Sequence, residues 1–237
     1  MKNVMLAAPS YDGKVSVWHA AALSETCKLG LTKDINIFPI YMSFDSLVQR
    51  ARNDIFKLAY KSKVDELVFI DCDQDWNPED FFKLLEHEED VVGCPVRKKS
   101  DIAQFNIKLV SKDYELLENG LVEVDSVGTG FMKISKNAIV KIWESSEEYI
   151  EIDKQEKSRM VFDIGIHDGI LTSEDVVFCE KWRNMGGKVY IDPTINSGHS
   201  GEKRWVGNFE EWIKAVQEHL NQMNSKEEIM DIDDEEV

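Results

Sequence analysis

The sequence lacks the features that mark secreted, zinc-binding or membrane-spanning proteins. Its four cysteines, Cys27, Cys72, Cys94 and Cys179, are far apart and have no paired spacing, so they predict neither a disulfide framework nor a zinc site. No apolar run approaches the roughly 18 residues that a membrane span needs. The first residues lead directly into a predicted strand and are too short for a signal peptide. These absences predict a reduced protein located in the cytoplasm.

Positive charge is also scarce. The 28 Lys and Arg residues face 45 Asp and Glu residues, which gives a net charge of −17. This balance argues against a general affinity for nucleic acid or anionic membranes. Part of the charge is local, because residues 225–237 contain seven acids and one lysine. We expect that segment to be an acidic, disordered tail, and residues 1–224, in a chain that is 43% hydrophobic, to form one domain.

The first half of the chain alternates between predicted strands and helices. The predicted strands are 4–8, 35–42, 66–73 and 91–96, and the predicted helices are 15–29, 45–62 and 77–87. Gly30 is the expected C-cap of the first helix, and Asn77 followed by Pro78 is typical of a helix start. This order predicts an α/β fold, a mostly parallel sheet flanked by helices on both faces.

The second half is less regular and is expected to include a smaller antiparallel portion. We predict a hairpin over 102–117 with its turn at Lys112 and Asp113, and a strand over 127–134 that Gly128 and Gly130 interrupt. The remaining predicted elements are helices at 136–145, 173–185 and 208–222, a strand at 188–192, and a mobile loop at 151–170.

The most informative motif is an apolar run, 67–70, that ends in Asp71-Cys72-Asp73. In open α/β sheets, ligands bind beyond the carboxyl ends of the strands. Asp71 and Asp73 share one side of an extended segment, because side chains alternate with period two. Two carboxylates at such an edge suit Mg²⁺ or Mn²⁺ with a diphosphate. The alternative is that both are ordinary turn residues.

Two further segments carry candidate binding residues. Arg50 and Arg52, on the helix before the acidic motif, would offer paired donors to phosphate or to the acidic strand end. An exposed charged helix face is the alternative. Gly128 and Gly130 indicate close approach of a sugar or acceptor to the backbone, or a simple bulge. They do not form a dinucleotide fingerprint, since the third glycine and the following helix are missing.

Three residues in the last third are candidates for chemistry. Glu174 and Asp175 begin a predicted helix, where carboxylates are stabilised by the helix dipole. Either would also suit a catalytic base that takes a proton from an acceptor hydroxyl. His199 lies between small residues in a predicted loop and is a candidate metal ligand, whereas the other four histidines are interpreted as surface or core residues.

Taken together, these motifs resemble the nucleotide-sugar glycosyltransferases with a GT-A fold, over roughly residues 3–210. The matching segments are 47–53, 68–73, 93–99, 127–132, 173–179 and Asp192-Pro193 followed by His199. The resemblance implies a nucleotide-binding half at about 1–100 and an acceptor half at about 101–224. The compact length resembles short stand-alone enzymes of bacteria and their viruses, for which the host cytoplasm would be the location.

The resemblance also implies a role for each candidate. Asp71, Asp73 and His199 would bind Mn²⁺ or Mg²⁺. The donor, a UDP-sugar by default, would contact a further set of residues: Pro9, Tyr11, Arg50, Arg52, Asn53, Asp71, Lys98 or Lys99, Gly128 and Gly130. Asp175, with Glu174 as the alternative, matches the catalytic base of inverting members.

The acceptor is left open by the sequence. It is either a saccharide or protein, or a modified base in viral DNA contacted by the basic segments 97–99 and 203–205. Two other functions compete with glycosyl transfer. A nucleotidyltransferase would also use paired carboxylates and a metal, although the expected Gly-rich phosphate loop after the first strand is missing. A non-catalytic nucleotide-sugar-binding module is the third. The oligomeric state is not predicted.

Overall fold

The computed structural model describes residues 1–111, 114–151, 155–167 and 169–233, with side chains in the last helix described through Met223. An eight-stranded sheet forms its centre, in the order β2-β1-β3-β8-β5-β13-β7-β6. These strands are β1 Lys2–Ser10, β2 Ile35–Ser43, β3 Glu66–Ile70, β5 Val91–Gly93, β6 Ile107–Leu109, β7 Val122–Val127, β8 Phe131–Ser135 and β13 Val189–Ile191.

Helices pack against the sheet, and the remaining short strands form three small separate sheets. The helices are α1 Val17–Thr32, α2 Val48–Ser62, α3 Pro78–Glu86, α4 Lys136–Ser145, α5 Glu174–Asn184 and α6 Phe209–Asp233. The short strands are β4 Gln74–Trp76, β9 Glu148–Glu151, β10 Glu156–Arg159, β11 Gly165–His167, β12 Ile170–Thr172, β14 Ser197–Ser200 and β15 Arg204–Trp205. Among the described helices, none is both long and apolar enough to pass through a bilayer.

The predicted α/β class with a mostly parallel sheet is confirmed. Strands β2, β1 and β3 run parallel, and β13 runs parallel to β5. Strand β8 lies between β3 and β5 and is antiparallel to both. The four strands predicted for the first half correspond to β1, β2, β3 and β5. They do not form one uninterrupted parallel block, because β8, from the second half, lies between β3 and β5.

The core lies on both faces of the sheet, as β3 illustrates. All five of its residues are buried. Leu67 and Phe69 pack with the cluster that contains Phe56 and Phe178, whereas Val68 and Ile70 pack with the opposite cluster. A strand that is buried on both faces is a continuous apolar run rather than an alternating one. This confirms the interpretation of 67–70 and places the acidic residues that follow at the edge of the sheet.

Local signals predict several helix ends correctly, and packing changes others. Asn77 accepts a hydrogen bond from the Glu79 amide at the start of α3, as predicted. Gly30 does not cap α1, which continues to Thr32. A Cβ at Gly30 would lie 2.9 Å from Ile37 Cδ1, so the glycine allows close contact between α1 and β2.

The second half differs more from its predictions. The predicted strand 127–134 is two strands, since β7 ends at Val127 and β8 begins at Phe131. Strand β6 pairs with β7 rather than within 102–117, and the predicted turn at Lys112 and Asp113 lies outside the described residues. Within the described parts of 151–170, two short antiparallel pairs form, β9 with β10 and β11 with β12, and residues 160–164 connect them. Helix α6 extends beyond the predicted boundary at residue 224.

Candidate functional site

The acidic motif forms a tight turn at the carboxyl end of β3, which itself ends at Ile70 rather than at Asp73. The Asp71 amide donates to the Gly130 carbonyl at 3.0 Å, and the Gln74 amide donates to the Asp71 carbonyl at 2.9 Å. Gln74 then begins β4, which pairs with β14. The turn therefore brings β3, the segment after β7 and the strand that carries His199 to one place.

Arg52 joins two carboxylates that are distant in sequence. Its guanidinium contacts Asp71 Oδ1 at 3.1 Å and also forms an ion pair with Glu174. The Arg52 side chain is 6% exposed and that of Glu174 is 12% exposed, so this pair is shielded from water. Arginine suits such a position because its planar guanidinium has several donors in a fixed geometry. Asp71 and Glu174 are thus held by one buried cation.

Asp73 lies in a more open environment. Its Oδ2 is 2.5 Å from Lys99 Nζ and 3.5 Å from His199 Nε2. His199 Nδ1 lies 2.8 Å from the Arg97 carbonyl. Burial would raise the pKa of Asp73, but hydrogen bonds from His199 and Lys99 outweigh it and lower the pKa to about 2. Asp73 is therefore an anion near neutral pH.

Asp175 lies in the first turn of α5, and its two carboxylate oxygens have different environments. Its Oδ1 accepts from the Val176 amide at 2.9 Å and from the Ser173 hydroxyl. Its Oδ2 is 3.4 Å from Asn106 Nδ2, a long and weak contact. A Cβ at Gly128 would lie 2.1 Å from Asn106 Nδ2. The glycine therefore leaves room for Asn106 beside the carboxylate.

These groups surround one cavity of about 450 Å³. Its lining combines four basic side chains with three carboxylates and several neutral residues: Arg52, Arg97, Lys98, Lys99, Asp71, Glu174, Asp175, Gln74, Val96, Asn106, Thr129, Gly130 and His199. The cavity is at the carboxyl edge of the sheet, where ligands bind in open α/β folds. The structure thus brings together Arg52, Asp71, Lys98, Gly130, Glu174, Asp175 and His199 from the predicted set.

Other predicted binding residues lie elsewhere. Arg50 is 45% exposed and pairs with Asp45 at 2.7 Å rather than with the acidic turn. Asn53 is buried, and its side chain binds the backbone of 161–162 at 2.8–3.0 Å. Neither residue lines the cavity, and for both the contact with a donor stays a prediction. Helix α2 exposes Arg50 on the outer surface and uses Asn53 to hold a neighbouring segment, because side chains one or two positions from Arg52 face other directions.

Pro9 and Tyr11 lie near a second cavity but are not among the residues that line it. Tyr11 is 74% exposed, and the Pro9 carbonyl accepts from Cys72 Sγ at 3.2 Å. The second cavity, of about 500 Å³, lies between α1 and the ends of β1 and β2. Its lining carries no charged side chain: Ser10, Gly13, Val15, Ala20, Leu23, Ser24, Cys27, Pro39, Tyr41 and Ser43.

Sequence reasoning did not identify His19 and Asn106 as parts of the site. His19 is fully buried, which agrees with its interpretation as a surface or core residue, but that interpretation gave it no role at the site. Its ring contacts the carbonyls of Asp71 and Gln74 and the Tyr41 hydroxyl. Asn106 borders the cavity beside Asp175. No local pattern marks either residue, because their partners are distant in the chain.

A divalent cation needs several oxygen or nitrogen ligands close together. Within the described part of the chain, no group of three or more His, Cys, Asp and Glu side chains could hold a metal ion. Asp71 faces Arg52, whereas Asp73 and His199 face each other and Lys99. The predicted ligand set of Asp71, Asp73 and His199 is therefore not assembled in this arrangement, since a guanidinium contacts one oxygen of Asp71 and an ammonium contacts one oxygen of Asp73.

Comparisons with known proteins identify the fold. The crystal structure of A197 from STIV matches 89% of this chain and 91% of that chain, at 16% identity and a TM-score of 0.55. S. aureus TarS matches 81% of this chain and 58% of that chain, at 14% identity and a TM-score of 0.43. A glycosyltransferase involved in glycosylation of the major capsid of PBCV-1 matches 60% and 65%, at 11% identity and 0.35.

No protein-family model matches the chain, and no curated protein sequence matches it either. Of these three structures, A197 is similar enough to support an argument, and at 16% identity the similarity concerns the fold alone. The predicted GT-A-like fold is thereby confirmed.

Proposed function

We propose that this protein is a glycosyltransferase that moves a sugar from a nucleoside-diphosphate sugar to an acceptor hydroxyl. The observation that carries the proposal is that basic side chains and a carboxylate line the same cavity. Basic side chains from 97–99 line one part of the 450 Å³ cavity, and Asp175 lines it from α5. A diphosphate needs positive charge around it as it leaves, and the attacking hydroxyl needs a base. The cavity offers both on a GT-A-like sheet.

Asp175, rather than Glu174, is the proposed catalytic base. Glu174 is ion-paired with the buried Arg52, so one of its oxygens is already engaged and its position is fixed. Asp175 keeps Oδ2 free of strong partners, since its contact with Asn106 is 3.4 Å long. In the proposed step the acceptor oxygen bonds to the anomeric carbon, and the bond from that carbon to the phosphate oxygen breaks with its electrons. Asp175 Oδ2 takes the acceptor proton.

The donor is proposed to lie across the Asp71–Gln74 turn. The uncharged 500 Å³ cavity at the ends of β1 and β2 suits a nucleoside, because it combines apolar walls with hydroxyl groups. Lys98 and Lys99 then face the diphosphate, and Gly130 allows close approach, since a Cβ there would lie 3.3 Å from Asp71 Oδ2. UDP is the first nucleotide to test.

The sequence predicts that the activity depends on a divalent metal ion, and the experiment below tests that prediction. The side chains of Asp71, Asp73 and His199 do not form a ligand set in this structure, so no step of the proposal passes through Mn²⁺ or Mg²⁺. Both ions enter the experiment as variables.

A saccharide, free or attached to a protein, is the favoured acceptor over modified DNA. Three cations of the basic segments already form ion pairs within the chain: Lys99 with Asp73, Lys203 with Asp101, and Arg204 with Asp75. DNA affinity depends on cations that are free to neutralise phosphates. The net charge of −17 acts in the same direction. A neutral polyhydroxyl acceptor does not meet this repulsion.

A thermal-shift screen tests the proposal. Nucleoside diphosphates, their sugars and nucleoside triphosphates are each added with EDTA, Mg²⁺ or Mn²⁺. A ligand that binds only the folded state raises the melting temperature. We expect a shift with one nucleoside diphosphate and its sugar, followed by slow release of the free sugar from that donor. A response to triphosphates alone, with pyrophosphate release, would favour the nucleotidyltransferase. Donor binding without any sugar release or transfer would favour the non-catalytic nucleotide-sugar-binding module.

A further inference from the structure

His19 is fully buried between the two proposed parts of the donor site. It belongs to α1, yet all three of its ring contacts go to other elements. Nδ1 lies 3.1 Å from the Asp71 carbonyl and 3.1 Å from the Gln74 carbonyl, and Nε2 lies 2.7 Å from the Tyr41 hydroxyl. The ring also stands edge-on to Trp76, at 5.1 Å between centroids. Its orientation is therefore set from several sides.

The partners of the ring determine its tautomer. Both contacts of Nδ1 are carbonyl oxygens, which only accept hydrogen bonds, so Nδ1 must carry the proton. Nε2 of a neutral ring is then an acceptor for the Tyr41 hydroxyl. Burial lowers the pKa of His19, and the hydrogen bonds to Gln74 and Asp71 oppose that shift without reversing it. The neutral ring with Nδ1–H is the form that satisfies every contact.

These contacts place the ring at both ends of one turn. Asp71 and Gln74 are the first and last residues of the turn that carries the two acidic side chains, and the Gln74 amide closes it on the Asp71 carbonyl. Tyr41, on the other side of the ring, lines the uncharged 500 Å³ cavity. A single buried side chain thus ties the wall of one cavity to the acidic edge of the other.

We propose that His19 is a positioning residue, which holds the Asp71–Gln74 turn through Nδ1–H and is itself oriented by Tyr41. The turn geometry stands on the contacts alone, whereas the effect on sugar transfer rests on the proposed function. Misplacing a reacting group by about 1 Å can cost about 10²-fold in rate, so the loss of this hold is expected to appear in kcat more than in the KM for the donor.

Two substitutions separate the two ends of the ring. In Asn the amide nitrogen is attached to Cγ, as Nδ1 is in His, so His19→Asn retains a donor for the two carbonyls. In Gln the amide lies one bond farther out, so His19→Gln reaches toward Tyr41 and loses that donor. Both variants remove an imidazole from the same buried place, and each is therefore the control for the packing defect of the other.

Hydrogen exchange of the segment 71–76 gives a readout that does not need enzyme activity. We expect exchange there to be about tenfold faster in His19→Gln than in His19→Asn, because a lost hydrogen bond corresponds to about one order of magnitude in local opening. We also expect kcat to be lower in His19→Gln than in His19→Asn, with donor affinity similar. Equal exchange in the two variants would show a packing role only and would overturn the proposal.

The tautomer of the unmodified protein supplies a test that does not depend on either variant folding. Nitrogen-15 NMR of the His19 ring distinguishes Nδ1–H from Nε2–H, and we expect Nδ1–H. A dominant Nε2–H form would overturn the proposal, because the ring could not then donate to the turn. If the turn is held as expected but the protein transfers no sugar, the proposed function fails and the positioning role of His19 stands.

Discussion

Two pairs of neighbouring carboxylates lie at or beside the same cavity, and their members have different environments. Asp71 and Glu174 both bind Arg52, whose side chain is 6% exposed. Asp73 and Asp175 do not contact this arginine. Asp73 pairs with Lys99, a side chain that is 35% exposed, and Asp175 has one oxygen beside Asn106 at 3.4 Å. In each pair, therefore, one acid is fixed, or locked, by the buried arginine and the other is not. Asp175 lines the cavity itself, whereas Asp73 pairs with Lys99 and His199, which line it.

This difference separates structural acids from reactive ones. A carboxylate that is fixed by a buried arginine stabilises the arrangement of α2, α5 and the acidic turn. It is a poor candidate for the base, because the guanidinium already occupies one of its oxygens. An acid outside that lock can exchange partners when a substrate enters. The two sets of residues should consequently respond differently to substitution: the locked acids in stability and the open acids in activity or ligand binding.

The largest expected effect belongs to Asp175→Asn. If Asp175 is the base, the substitution removes the proton acceptor and should lower sugar transfer by about 10²- to 10⁴-fold. Donor binding and the melting temperature should change little, because Oδ1 still accepts from the Val176 amide. Transfer and donor affinity are measured side by side. Glu174→Gln is the matched neighbour, for which loss of stability should dominate.

Arg52→Met should be the most destabilising change at the site. It leaves Asp71 and Glu174 without their shared cation, and breaking a buried ion pair costs about 3–5 kcal/mol. Asp71 is 33% exposed, so we expect the lower end of this range. The free energy of unfolding, measured by urea denaturation, should fall by about 3 kcal/mol. Arg50→Met on the same helix is the control, since Arg50 is 45% exposed and such a pair contributes less than about 1 kcal/mol. Equal losses in the two variants would remove the distinction between locked and open acids.

Asp192 is a buried carboxylate outside the cavity that its neighbours also hold in place. It contacts His87 and Lys83, each at 2.9 Å, and also Thr194. Burial would raise the pKa of Asp192, but these hydrogen bonds outweigh it and lower the pKa below its ordinary value. A lowered pKa in the folded state means that the stabilisation is present above about pH 4 and is lost as pH falls below that.

Asp192→Asn should therefore destabilise the protein by about 2 kcal/mol at pH 7. The difference from the unmodified protein should shrink when unfolding is measured at pH 3. A difference that is independent of pH would assign the effect to packing and not to charge.

The smallest expected effect on stability is that of Lys99→Met. The Lys99 and Asp73 side chains are 35% and 40% exposed, and exposed ion pairs contribute less than about 1 kcal/mol. Affinity for UDP should fall more clearly, because an ammonium beside the proposed diphosphate is lost. Urea denaturation and calorimetric titration with UDP measure the two effects. A stability loss as large as that of Arg52→Met would place Asp73 among the locked acids.

Sequence patterns predicted those features that depend on neighbours along the chain. The apolar run 67–70 predicted a strand buried on both faces, and Asn77 with Pro78 predicted the start of α3. The predicted helix 136–145 agrees with α4, whose N-cap is the Ser135 side chain. Glycine was harder to interpret, since Gly30, a typical C-cap in sequence, is explained by its contact with Ile37. A local pattern does not show which strand will lie beside a residue.

The sequence by itself determined the strand–helix order, the α/β class and the acidic residues at the end of β3, because periodicity and capping act over a few residues. Only the tertiary structure decided which of those acids are locked. Arg52 and Glu174 are 122 positions apart, and the insertion of β8 between β3 and β5 places Gly130 against Asp71. His19 became part of the site in the same way. Contacts at such distances along the chain depend on how the whole core packs, which no short segment encodes.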